Sequence, residues 1–252
     1  METVYVLCAF YAVCSCIALG SCLLPTWLQD ATTNYGKTKP ENMGATYQKV
    51  PWFLRLIFIR VPKSWFSHFY NVCTAWSVYL ILRYGLSNAG LSSYLVLLQG
   101  LRRWYEVVYV QPLSNAQMWI GLYFLGIAYY LVVPLTTWMR PLMGSSLVSF
   151  LGAVLFSMGS IVQLQCHSYL ATLPKYTLPT KYPFDILIAP HYTAEIVIYT
   201  GILLTNINLS TFANLLWLPI DLGVAAESQA NWYARKFPDK YREKYRILPM
   251  IW

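Results

Sequence analysis

Apolar residues along this 252-residue chain gather into seven runs, 4–28, 66–86, 91–110, 118–139, 147–170, 192–205 and 212–230, separated by more polar stretches. A helix needs about 20 predominantly apolar residues to cross a bilayer. Several runs reach that length, and the sixth is the shortest. The pattern predicts an all-α, polytopic membrane protein of about seven transmembrane helices. Glu2 but no basic residue precedes the first run, and the run is long, so it predicts an uncleaved span rather than a signal peptide. Residues 47–60 mix aromatic and basic side chains (Trp52, Phe53, Arg55, Phe58, Arg60), the composition of a segment lying along the interface. No internal repeat or low-complexity stretch divides the chain, so 1–252 is expected to be one membrane-embedded domain.

The basic residues set an orientation. Lys37, Lys39, Lys49, Arg55, Arg60 and Lys63 lie between the first two runs, and Lys175 and Lys181 between the fifth and sixth. Arg235, Lys236, Lys240, Arg242, Lys244 and Arg246 follow or close the seventh. If the spans alternate, all of these share one side, and outside the spans the other side keeps only Arg140. The basic side is expected to be cytosolic, with the C-terminus on it and the N-terminus opposite.

Composition agrees. Only 11% of residues are charged, against about 25% in a soluble domain, and 57% are hydrophobic. Aromatics reach 17%, which suits interfacial belts and an apolar ligand tunnel. The net charge of +8 is accounted for by topology and acidic head groups. A nucleic-acid role would need a soluble basic face, which the pattern does not provide. Cys8, Cys14, Cys16, Cys22, Cys73 and Cys166 show no ligand spacing and are expected to be small apolar core residues, with no metal. The sequon Asn208-Leu209-Ser210 falls in a turn too short to favour glycosylation.

Against this apolar background, Arg102-Arg103-x-x-Glu106 stands out. A charge at the centre of a membrane helix costs at least ~2.5–3.5 kcal/mol. At helical spacing Gln99, Arg102 or Arg103, Glu106 and Tyr109 form one polar stripe. An ion pair that merely ties helices together is the plainer account; an anionic ligand is the sharper one. Gln163 and His167 are one turn apart near the end of the fifth run, and His191 and Glu195 share a face at the start of the sixth. The seventh carries Asn214, Asp221, Ser228 and Arg235 at intervals of seven, with Glu227, Asn231 and Tyr233 nearby. Together these predict a polar cavity open to the basic side. Arg102, Arg103, Lys175, Arg235 and Lys236 beside amides and carboxylates suit a phosphorylated cofactor. No GxGxxG or GxxxxGK[ST] occurs, so neither a Rossmann nor a P-loop mode applies.

Four stretches resemble the steroid 5α-reductase family of membrane reductases, and most closely its polyprenol/polyprenal reductase branch in a fungal form. Val61-Pro62-Lys63-Ser64-Trp65-Phe66-Ser67-His68-Phe69-Tyr70 is similar to a VPKxxFSHFY signature, and Leu101 to Val110 to an LRRxxExxYV segment. Gln163-x-x-Cys166-His167-x-x-Leu170, Leu178-Pro179 and Pro190-His191-Tyr192-x-x-Glu195 resemble the family's C-terminal half. Trp232-Tyr233-x-x-Lys236-Phe237 and the ending Ile247-Leu248-Pro249-Met250-Ile251-Trp252 match its closing pattern, and Tyr35-Gly36-Lys37-Thr38 resembles fungal members. Two departures stand beside the match. Gln99-Gly100 replaces a usual His-Ser, with Gly100 where steroid-active members place a carbonyl-binding Tyr, and Gln229-Ala230 replaces histidine-containing sequence.

The resemblance implies seven helices, an NADPH site and reduction of a carbon–carbon double bond conjugated to a carbonyl. In this branch that step saturates the α-isoprene unit of a polyprenyl chain in dolichol synthesis, which supports protein N-glycosylation at the endoplasmic reticulum. Residues 1–90 would form the lipid side and the cytosolic interfacial loop, and 91–252 the cofactor-binding helices and cytosolic tail. The implied partners are the bilayer and a long polyprenyl lipid, with no obligate protein partner. Hydride addition to an enal pushes charge onto the carbonyl oxygen, so a donor is needed there. His68 and Tyr70 are the candidate donors, and Glu106 is the third candidate catalytic residue, ordering the site with the arginines. Arg102, Arg103, Gln163, His167, His191, Tyr192, Glu195, Asn231, Tyr233 and Lys236 form the expected cofactor-facing set. Two alternatives remain open: the same fold acting on a steroid enone or a trans-2-enoyl thioester, and a lipid-binding or transport protein, for which Asp221 is the best support.

Overall fold

The computed structural model describes residues 2–25, 28–29, 58–111 and 116–250. The interfacial segment expected at 47–60 lies mostly outside the described residues, as do Tyr35-Gly36-Lys37-Thr38 and the terminal Ile251-Trp252. Each apolar run holds one helix: α1 (Glu2–Cys22), α2 (Phe66–Tyr84), α3 (Leu91–Tyr105), α4 (Ile120–Thr136), α5 (Ser146–Thr172), α6 (Pro190–Thr205) and α7 (Leu209–Lys236). Three of them, α1, α5 and α7, are long and apolar enough to cross a membrane. One face of α5 turns Leu147, Phe150, Leu151, Val154, Met158 and Ile161 outward. A contiguous apolar face of that size marks a surface made for something other than water.

The helix boundaries have local causes. α1 stops six residues before the end of its run because Pro25 disfavours helical backbone at Leu24, and the chain closes with a tight turn, Leu23 N to Gly20 O at 3.0 Å. Gly85 ends α2 at φ +95°, a conformation glycine adopts without penalty. Pro190 opens α6 at a position where its missing N–H costs nothing. Beyond Tyr105 the third helix widens into a π-helical turn, Glu106–Val110, closed by Gln111 N to Glu106 O at 2.8 Å. The wider turn shifts the register after Glu106. Tyr109, expected on the polar stripe, instead faces outward beside Trp104 and Tyr105.

Among the described residues, a short two-stranded ribbon departs from the all-helical expectation. β1 (Arg60–Pro62) pairs antiparallel with β2 (Gln117–Trp119), Val61 opposite Met118, and ties the entrances of α2 and α4 together. Three-residue strands are too short to leave a periodic signal. Val61 and Met118 are buried against Phe69, which anchors the ribbon on the bundle.

α2 packs on α3 and α4, α1 runs along α7, and α5 lies along α6. The last pair is close enough for backbones to touch. A Cβ on Gly201 would stand 2.5 Å from the Gly152 carbonyl oxygen and 2.6 Å from Phe156 N. Small residues are what membrane helices use for such contacts. In the centre, Tyr11, Tyr129 and Trp217 interlock, with the Tyr129 and Trp217 rings 4.7 Å apart. The cysteines are all free; Cys14, Cys73 and Cys166 are buried as expected, whereas Cys16 and Cys22 lie on the exposed side of α1.

The end of the bundle remote from the arginines is closed by a hydrogen-bonded knot. Asn206 Nδ2 donates to Thr137 O at 2.7 Å, and Asn208 Nδ2 donates to Thr136 O at 3.0 Å. Asn208 also caps α7, its Oδ1 accepting from the backbone N–H groups of Ser210 and Thr211, while Thr211 returns a bond to the Asn208 N–H. The sequon asparagine is therefore 2% exposed with its amide nitrogen already committed. Asn208→Ala is expected to cost about 1–2 kcal/mol from the lost cap, read as a lower thermal midpoint in detergent. Endoglycosidase should leave the wild-type band unshifted in microsomes; a shift abolished by the same substitution would contradict this geometry.

Candidate active site

Four helices converge on one polar cluster. α3 contributes Gln99, Arg102, Arg103 and Glu106, α5 contributes Gln163 and His167, α6 opens with His191 and Glu195, and α2 supplies Tyr70. Spacings of three and four put each helix's members on one face, and the apolar positions between them face the lipid side or the core.

Glu106 is the hub. It is fully buried, and one carboxylate oxygen accepts from Arg102 Nη1 while the other accepts from Arg103 Nη1. His167 Nδ1 lies 2.6 Å from that second oxygen and 2.8 Å from Arg103 Nη1. In one tautomer Nδ1 accepts from the arginine, and in the other it donates to the carboxylate. Arg103 Nη2 donates to the Tyr70 hydroxyl oxygen at 3.0 Å, and its guanidinium stands 5.1 Å from the centre of the Tyr70 ring. Arg102 turns the other way. Its Nη2 donates to Gln99 Oε1 at 2.7 Å and to Gln163 Oε1. The two amides then donate to the two oxygens of Glu195, Gln99 at 3.3 Å and Gln163 more closely, and Gln163 also donates to the His191 carbonyl at 3.1 Å.

With His167 neutral, two arginines balance two glutamates. Such an arrangement satisfies the demand that buried charges be paired and hydrogen-bonded. Among the described residues, Arg102 Nε is buried and makes no hydrogen bond. An acceptor atom on a ligand, such as a phosphate or carboxamide oxygen, would use it.

Seven of the ten expected cofactor-facing residues gather here or beside it: Arg102, Arg103, Gln163, His167 and Glu195 within the cluster, His191 with its ring 5.4 Å from that of His167, and Tyr192 with its ring 4.3 Å from that of His191. Tyr192 OH accepts from Gln229 Nε2 at 3.0 Å, linking α6 to α7, so the Gln229 departure has a structural task. The other three stand apart at the end of α7. Asn231 Nδ2 donates to Glu227 at 3.3 Å on the exposed side, Tyr233 is buried in an apolar group with Ile188, Ala230 and Ile247, and Lys236 is exposed. The seven-residue series on α7 does not form one site either; Asn214 is buried and accepts from the Tyr129 hydroxyl at 3.3 Å, whereas Arg235 is exposed.

The two candidate donors are separated. Residues two apart on a helix differ by about 200° in direction. Tyr70 faces Arg103, while His68 Nδ1 lies 3.1 Å from the Tyr123 hydroxyl with Trp65 alongside.

The C-terminal tail contributes features that pattern alone did not reveal. It folds back over the start of α6: Ile188 N donates to Tyr245 O at 2.8 Å, Ala189 N to Arg246 O at 3.2 Å, and Thr193 Oγ1 to the Ile247 carbonyl at 2.5 Å. Arg246 Nε donates to Glu227 at 2.6 Å, and that bond raises the arginine's pKa. Lys244 Nζ donates to Phe184 O at 2.6 Å, and burial lowers its pKa. The tail thus fixes the turn that presents His191 and Glu195.

Gly100 lies on the neighbouring face of α3, against α2. A Cβ there would meet Thr74 Oγ1 at 2.8 Å and Cys73 Sγ at 3.3 Å, so no tyrosine fits without parting the helices.

Residues 123–252 match the family described as 3-oxo-5-alpha-steroid 4-dehydrogenase. The polyprenal reductase of Saccharomyces cerevisiae is 32% identical over 250 residues, covering 98% of this chain and 94% of the yeast protein. Human polyprenal reductase is 26% identical over 251 residues, 76% of this chain and 78% of its own. Polyprenal reductase 2 of Oryza sativa subsp. indica is 29% identical over 197 residues, 61% of this chain and 56% of the rice protein. The chain belongs to the 3-oxo-5-alpha-steroid 4-dehydrogenase family, the steroid 5α-reductases.

Proposed function

We propose that this protein is an NADPH-dependent reductase that saturates the α-isoprene double bond of a polyprenal. The product serves dolichol synthesis and through it protein N-glycosylation. The observation that carries the proposal is the Tyr70 hydroxyl gripped by Arg103 inside a buried, charge-balanced cluster, in a chain similar to yeast polyprenal reductase along nearly its whole length.

The chemistry follows from what each residue does. Arg102, Arg103, Gln163, His167, His191, Tyr192 and Glu195 hold the cofactor, with Asn231, Tyr233 and Lys236 at its cytosolic end. When bound, the reduced nicotinamide supplies a hydride to the carbon β to the aldehyde. Charge then collects on the carbonyl oxygen, and Tyr70 donates to it. Arg103 already donates to the phenol oxygen, so the phenol proton is directed away from Arg103, toward a ligand. As that proton shifts, Arg103 stabilises the oxygen left behind, and Glu106 balances Arg103. Return of the enol proton to Tyr70, as a proton from water reaches the α-carbon, completes saturation. The free alcohol lacks the carbonyl that accepts this charge, so the aldehyde is the immediate substrate.

All seven helices cross the endoplasmic-reticulum membrane, the C-terminus lying in the cytosol with the basic ends of the bundle. Residues 1–90 serve the lipid and 91–252 the cofactor, and a lateral opening leaves the isoprenoid tail in the bilayer. Two observations weigh against the alternatives. The tight packing at Gly100 leaves no place for a carbonyl-binding tyrosine. The remote end is sealed by the Asn206–Asn208 knot, whereas a transport path would carry polar groups through to that face.

The test is NADPH oxidation by purified protein in detergent, with polyprenal, polyprenol, a steroid enone and a trans-2-enoyl thioester. Turnover confined to polyprenal, with an α-saturated product, is expected. Turnover of the steroid or thioester instead would keep the site and overturn the substrate, and no NADPH binding at all would return the charges to a structural role.

A further inference from the structure

We infer that Gln99 is a positioning residue for the cofactor side of this site, an inference that rests on the cofactor reading above. Arg102 and Glu195 do not touch directly. They are joined through two side-chain amides that run in parallel, Gln99 from α3 and Gln163 from α5. In each bridge the amide oxygen accepts from Arg102 Nη2 and the amide nitrogen donates to one oxygen of Glu195. The four side chains close a ring across α3, α5 and α6.

Such a ring has two consequences. First, every polar atom has one polarity available: the guanidinium can only donate and the carboxylate can only accept, so each amide has one permitted orientation. Second, both Glu195 oxygens are held, which fixes the plane of the carboxylate, and Arg102 is held so that its unpartnered Nε stays fixed beside the ring. Gln99 is 3% exposed and supplies one whole side of the ring. Gln163 has a second anchor, the His191 carbonyl, whereas the Gln99 amide is bonded to Arg102 and Glu195. Gln99 is thus the member whose hydrogen bonds serve the ring.

The ring predicts a specific rescue. Gln99→Leu removes one bridge. Gln99→Glu keeps the bond from Arg102 but sets a second carboxylate against Glu195. In the double variant Gln99→Glu/Glu195→Gln the bridge re-forms with its polarity exchanged, since the carboxylate introduced at position 99 accepts from both Arg102 and the amide introduced at position 195. The oxygen of that amide in turn accepts from Gln163.

The experiment titrates NADPH into the purified wild type and these variants, together with Glu195→Gln alone, following cofactor fluorescence, and measures thermal stability and the KM for polyprenal on the same preparations. Gln99→Leu and Gln99→Glu are each expected to weaken NADPH binding on the order of tenfold or more, the effect of losing a hydrogen bond to a charged group, with the KM for polyprenal unchanged. The double variant should recover most of the affinity lost by Gln99→Glu and bind better than Glu195→Gln alone. If Gln99→Leu lowers stability but its folded fraction binds NADPH as the wild type does, Gln99 only ties helices and the inference falls. If Gln99→Leu does not fold, the double variant decides: affinity no better than that of either single variant overturns the ring. Wild-type protein that binds no NADPH would overturn the cofactor reading first, and the inference with it.

Discussion

Exchanging Glu106 for glutamine is expected to cost about 3–5 kcal/mol, the usual consequence of removing one partner from a buried ion pair and stranding the other. Here one carboxylate serves two guanidiniums and an imidazole, at zero exposure. Glutamine has nearly the same shape but offers one acceptor oxygen, and its NH2 would point donors at donors. Arg102 and Arg103 would then share a single remaining carboxylate in the cluster, Glu195, which only Arg102 approaches, and only through amides. Membrane proteins in detergent seldom unfold reversibly, so the measurable quantity is a rate. The buried Cys14, Cys73 and Cys166 give a direct readout, because unfolding exposes them to a thiol-reactive dye. Glu106→Gln should shorten the labelling half-life at fixed temperature severalfold or more, and Glu106→Asp, which keeps the charge, should shorten it less. Equal half-lives for wild type and Glu106→Gln would mean that water reaches the cluster and that the hub is not buried in the working protein.

Much of the architecture was legible because a membrane imposes a strong signal. Seven apolar runs became seven helices, and the errors at their ends trace to single residues such as Pro25. The polar stripe on α3 was legible for the same reason, since Arg102, Arg103 and Glu106 stand out against an apolar background. What stayed unread was whatever depended on a change of local geometry or on tertiary pairing. Tyr109 left the stripe because the π-helical turn begins at Glu106, and no periodicity announces a wider turn. The β1–β2 ribbon joins segments more than fifty residues apart through three residues each. Gln99 was visible as a stripe member, yet its link to Glu195 spans 96 residues and requires α3 and α6 to meet. Asn231, Tyr233 and Lys236 follow one another on α7, but the helix carries them beyond the arginine layer, toward the folded-back tail.

The same tertiary information separates His68 from Tyr70, which the sequence offered as equals. Tyr70→Phe is expected to lower kcat by about 10²–10³, the effect of deleting one donor from an oxyanion-stabilising site, with a loss of stability of about 1–3 kcal/mol from the acceptor that Arg103 Nη2 loses. The ring remains, and its packing against Tyr130 at 5.2 Å and beneath the Arg103 guanidinium does not need the hydroxyl. His68→Ala is expected to leave kcat within a few-fold, because its imidazole is engaged with Tyr123 on the opposite side of α2. The comparison needs a substrate at saturation, so that a change in lipid binding near Trp65 shows in KM and not in kcat. A third variant closes the argument. Arg103→Met removes the group that orients the phenol, and in that background Tyr70→Phe should cost far less than it does alone, because the two residues act as a unit. If His68→Ala proves the more damaging substitution, the donor sits on the Tyr123 side of α2 and the charged cluster serves the cofactor alone. If both single variants keep wild-type kcat, the proton acting on the carbonyl oxygen does not come from α2.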